Sequence, residues 1–66
     1  MIITIDDIRK CGYCVTGARS WFTERDMDFR TFIREGIDAQ EFLEKGDAKA
    51  RIVVEAKIKR VEERNG

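Results

Sequence analysis

At 66 residues, with 42% hydrophobic and 39% charged side chains, the chain is one small domain (residues 1–66) with a thin stability margin. Its 13 Lys and Arg balance its 13 Asp and Glu, so no field of one sign points to nucleic acid or an anionic membrane. No apolar run approaches the ~20 residues of a bilayer span, and the absence of histidine removes the commonest general base near neutral pH.

The start, MIITIDDIRK, places its charges after a very short apolar stretch, the reverse of a secretory signal. This predicts an intracellular, cytoplasmic protein with no membrane partner and with reduced cysteines. Thr4 and Asp7 have capping-box spacing. Ile5, Ile8 and Cys11 then recur at helical spacing up to Gly12, which predicts a first helix near residues 5–11. Val15, Ala18 and Phe22, with Trp21 beside them, predict a second helix over 15–25 whose other face carries Thr16, Arg19, Ser20 and Thr23. Gly17 inside it marks a place where another backbone approaches closely.

FIREG (32–36) and FLEKG (42–46) repeat one pattern ten residues apart. Asp28 and Asp38 precede them as N-caps, and a glycine able to take the left-handed conformation ends each. The expectation is two short helices, about 28–35 and 38–45. The last segment, DAKARIVVEAKIKRVEERNG, reads in two ways. Ala50, Val54, Ile58 and Val61 make a helical stripe after Asp47 as N-cap, with Asn65-Gly66 as a stop. Ile52, Val54, Ala56 and Ile58 also alternate like a strand. The length without a turn signal favours a helix.

The chemistry-bearing motif is CGYC, Cys11 to Cys14. It resembles the active-site stretch of glutaredoxins and some disulfide isomerases, which implies a redox dithiol. The rest departs from that pattern: DDIRK stands where a strand should end, the family's cis proline has no counterpart, and the chain is shorter than the minimal fold. Structural zinc needs four ligands, and two cysteines supply half. The thiols are therefore expected to be ordinary, with Cys11 packed beside Ile8. The aromatic residues Trp21, Phe22, Phe29, Phe32 and Phe42, next to Ile33 and Leu43, are expected in the core rather than on a base-stacking face. Trp21 is expected to anchor that core. No catalytic, cofactor-binding or metal-binding residues are assigned, no cofactor is implied, and the chain is not expected to be an enzyme.

TIDDIRKCGYCVTGARSWFTERDMDF resembles the helix–turn–helix start of MerR-type and excisionase-like DNA-binding proteins, through Thr4, Gly12, Arg19 and Trp21-Phe22. That resemblance implies that Thr16, Arg19, Ser20 and Thr23 face the major groove. Glu24, Asp26 and Asp28 beside that face would repel phosphate. Over a longer stretch, GYCVTGARSWF, MDFRTFIREGI and GDAKARIVVE, from about Asp6 to Ala56, resemble small proteins encoded by bacteriophages and prophages. This second resemblance implies a phage context and no catalytic residues.

The reading is a compact all-α domain of four to five short helices with a longer C-terminal helix. The alternative is an α+β fold that pairs a short N-terminal strand with a C-terminal strand. The leading function is a non-enzymatic phage or prophage module for protein contacts, in virion assembly or host takeover, inside the host cell or on the virion. Its partner is a phage structural protein, a host protein or a second copy. Ile58 and Val61, flanked by Lys57 and Arg60, form the candidate partner-binding stripe. A small helix–turn–helix DNA-binding protein is the runner-up, and a redox protein comes third.

Overall fold

A computed structural model describes residues 1–65 of the chain. Five helices and one two-stranded sheet follow in order: β1 (Ile2–Ile3), α1 (Ile5–Lys10), α2 (Val15–Glu24), α3 (Phe29–Glu35), β2 (Ile37–Asp38), α4 (Ala39–Lys45) and α5 (Ala48–Asn65). The domain is helical as expected, with the longer helix last. Gly66, half of the expected terminal stop, lies outside the described residues.

Local side-chain caps set most helix starts. Asp28 accepts from the Arg30 and Thr31 amides at 3.0 and 3.4 Å, and Asp38 accepts from the Gln40 amide at 3.1 Å. Asp47 starts α5 in the same way, accepting from the Lys49 amide at 2.9 Å. Each carboxylate satisfies amides that the helix leaves without partners and sits where the helix dipole favours negative charge. At α1, the Asp7 carboxylate reaches back to the Thr4 amide at 2.8 Å.

The two repeat glycines do different jobs. Gly36 takes φ +78°, and a Cβ there would lie 2.9 Å from the Ile3 carbonyl oxygen, so the turn into β2 requires glycine twice over. Gly46 has φ −97° and is not left-handed. It is needed for space: a Cβ would press on Ala50 Cβ and lie 2.7 Å from the Phe42 carbonyl oxygen. Gly17 also departs from expectation, because its neighbour is the Cys14 sulfur rather than another backbone.

β1 pairs antiparallel with β2, in the register Ile2 with Asp38 and Ile3 with Ile37. The N-terminal strand therefore exists, but its partner precedes α4. Residues that could have paired with it further on, including Ile52 and Val54, are helical. The core gathers Ile3, Ile8, Ala18, Phe22, Phe32 and Phe42 against Ala50, Val53 and Val54 of α5. Phe22 sits at its centre with 1% of its surface exposed, and its ring centroid is 4.4 Å from that of Phe32 and 6.2 Å from that of Phe42. Trp21, expected as the anchor, is only half-buried, and Phe29 likewise packs at the edge. Ile33, Leu43 and Val15 are exposed, because helices of seven to ten residues bury one stripe and leave the adjacent position in solvent.

Candidate functional site

Gly12, Tyr13 and Cys14, in the turn between α1 and α2, build one wall of an apolar cleft. α1 ends on hydrogen bonds from the Cys11 amide to the Ile8 carbonyl (3.1 Å) and from the Gly12 amide to the Arg9 carbonyl (2.9 Å). Gly12 then takes φ +90° and turns the chain. Tyr13 packs back on the core. Cys14 is the N-cap of α2, its sulfur accepting from the Gly17 amide at 3.2 Å. A Cβ at position 17 would stand 3.3 Å from that sulfur, tighter than ordinary contact, so the glycine makes room for the thiol cap.

The opposite wall is the first turns of α5, with Lys49, Ala50 and Val53. The buried Phe22 and Phe42 lie at its base, and the cleft holds about 270 Å³. Lys49 is its one charged lining residue, and no carboxylate pairs with the Lys49 side chain among the described residues.

Trp21 is fixed at the edge of this cleft. Its indole Nε1 donates to Asp47 Oδ1 at 3.4 Å, and the Arg25 guanidinium lies 4.1 Å from its ring centroid. Arg25 also donates to Asp47 Oδ2 at 2.7 Å. Partial burial pushes the Asp47 carboxyl up, but the Lys49 amide, the Trp21 indole and the Arg25 charge outweigh it and hold its pKa below the usual value. The acid nearest the cleft is thus already engaged.

A second cluster lies where α5 meets the N-terminus. Asp7 is 5% exposed. Its Oδ2 accepts from the Thr4 amide, the Thr4 hydroxyl (3.1 Å) and Lys57 Nζ (2.9 Å), and its Oδ1 accepts from Arg60 Nη2 at 2.8 Å. Lys57 also donates to the Ile2 carbonyl. Burial raises the Asp7 carboxyl, but the hydrogen bonds from Lys57 and Thr4 and the Lys57 charge prevail, leaving its pKa lowered. Of the candidate stripe, Ile58 and Val61 are 39% and 41% exposed, and Lys57 and Arg60 pair with Asp7, in a depression that Val61 also borders. Glu63, at helical spacing from Arg60, is the local acid that the sequence offers, but the partner of both Lys57 and Arg60 is Asp7, 50 and 53 positions away.

Thr16, Arg19, Ser20 and Thr23 all lie exposed along α2. Two of them are engaged locally. The Thr23 hydroxyl donates to the Arg19 carbonyl at 2.9 Å, and the Arg19 guanidinium stands 5.8 Å from the Phe29 ring centroid. Cys11 and Cys14 are both free thiols at the two ends of the α1–α2 turn.

Among the described residues, no helix is long and apolar enough to cross a membrane, and no group of three or more Cys, Asp or Glu is placed to hold a metal ion. No protein-family model, curated protein or solved structure matches the chain.

Proposed function

We propose that the chain is a non-enzymatic interaction module of a bacteriophage or prophage, and that its cleft between the Tyr13 turn and α5 receives an apolar side chain of a partner protein. The single observation that carries this reading is the cleft: a surface opening with aromatic and aliphatic walls and one charge at the rim. At about 270 Å³ this cleft suits one large side chain, the anchor-in-pocket arrangement of interaction hot spots. The phage context rests on the sequence resemblance from Asp6 to Ala56. A phage structural or host protein is the expected partner, in the host cytoplasm or the virion.

Pairwise co-purification with the products of neighbouring genes tests the proposal. One of them should bind the wild type and lose at least about tenfold in affinity to Trp21→Leu and Tyr13→Ser, equivalent to about 1.4 kcal/mol. Circular dichroism must show both variants folded. Undiminished binding by folded variants would remove the cleft from the interface. The DNA reading keeps one observation in its favour, the exposure of Thr16, Arg19, Ser20 and Thr23 on one helix. It predicts a salt-sensitive, sequence-selective duplex complex that is lost in Arg19→Ala.

A further inference from the structure

We infer that the occupant of the cleft is an acidic peptide segment, with one large apolar side chain seated between Tyr13, Trp21 and Ala50 and a neighbouring carboxylate facing the Lys49 ammonium; this rests on the interaction-module reading. The lining takes an apolar body and offers no charge except Lys49. That ammonium has no carboxylate within ion-pair distance among the described residues, and Asp47, two residues before it, is occupied by Arg25, Trp21 and the Lys49 amide. A cationic partner would meet Lys49 as a like charge, whereas an anionic one completes it.

The starts of α2 and α5 both border the cleft, and neither helix carries an acidic residue in its first turn. The α2 dipole adds positive character at the Cys14 wall, whereas the start of α5 is capped by the Asp47 carboxylate and leaves the Lys49 ammonium as the charge on that side. Ile52 stands three residues beyond Lys49 on α5 and is half exposed, so apolar surface continues outside the cleft. A peptide chain gains contact along that surface, and a small organic acid does not.

The test compares two capped tetrapeptides, N-acetylated and C-amidated, with tryptophan second and either glutamate or glutamine third. Each is titrated into the ¹⁵N-labelled full chain and followed by amide chemical shifts. Shifts at Tyr13, Gly17 and Ala50 are expected, with the glutamate peptide binding about two- to five-fold more tightly, the range for an exposed ion pair. That advantage should vanish in Lys49→Gln, an exposed substitution, and in about 0.5 M salt. Equal binding of the two peptides would overturn the acidic occupant and leave the interaction module standing. Shifts confined to Ile58 and Val61, or none from either peptide, would overturn both.

Discussion

Replacing Asp7 with asparagine changes one oxygen to nitrogen and tests the junction that ties α5 to the N-terminus. The carboxylate is 7% exposed on its side chain and takes four hydrogen bonds, two of them from cations. In Asp7→Asn an NH₂ group must face either Arg60 or the Thr4 and Lys57 donors, and both cations lose their counter-charge. Breaking a fully buried pair costs about 3–5 kcal/mol. Here Lys57 and Arg60 are 23% and 34% exposed on their side chains and can turn to water, which reduces the expected loss to about 2–3 kcal/mol. At about 2.1 cal/mol/K per residue, a chain of 66 residues has an unfolding entropy near 0.14 kcal/mol/K, so the loss corresponds to a Tm drop of about 15–20 °C. Thermal melts followed by circular dichroism at low protein concentration read this directly. The pH dependence supplies a second check. The folded pKa of Asp7 is lowered, so its contribution is fully present above the unfolded value of about 3.9 and is lost as pH falls through the folded value. The gap between wild type and Asp7→Asn should be constant from neutral pH to about pH 5 and close below pH 4. A Tm drop under about 5 °C, or a gap that persists in acid, would refute the assignment of Asp7 as a charged tie.

Gly46→Ala should destabilise by about 2–4 kcal/mol, measured by urea unfolding, because the new methyl meets Ala50 and the Phe42 carbonyl inside packed structure. The Cys11→Ser, Cys14→Ser double variant should fold, with serine taking over the α2 cap; loss of the cooperative transition would show that the thiols matter beyond capping. Phe22→Ala should cost about 3–5 kcal/mol and Trp21→Ala clearly less, since Phe22 is enclosed and Trp21 lies at the edge; the reverse order in chemical denaturation would place the core elsewhere. Hydrogen exchange along α5 should show protection through Arg60, where the Asp7 contacts end, and labile amides beyond it.

The helix starts were legible because a cap is a local grammar. Asp28, Asp38 and Asp47 each act on amides two or three residues ahead, and a short window of sequence contains the whole interaction. α5 was legible from its length and stripe. What escaped depends on residues far apart in the chain. Lys57 and Arg60 look like solvated charges beside Ile58 and Val61 until the fold brings Asp7 beneath them. Gly46 looks like Gly36 in sequence, yet one is fixed by the approach of Ala50 and the other by backbone angle. Ile33 and Leu43 fit a core pattern but are turned to solvent, because a two-turn helix cannot bury both an aromatic and its next neighbour. The cleft was not legible at all: its walls come from the Cys14 turn and from α5, and only packing joins them.

The bonds from Asp7 reach 50 and 53 positions along the chain, and β1 waits for β2 across the whole of α1 to α3. Closing so long a loop costs entropy before any contact offsets it, which predicts that these joints form after the local helices have met around Phe22. Interactions absent from the transition state leave the folding rate unchanged and act on the rate of opening. That order makes the Asp7 junction a kinetic latch: Asp7→Asn should leave refolding times as they are and shorten the lifetime of the native molecule, as stopped-flow unfolding would read.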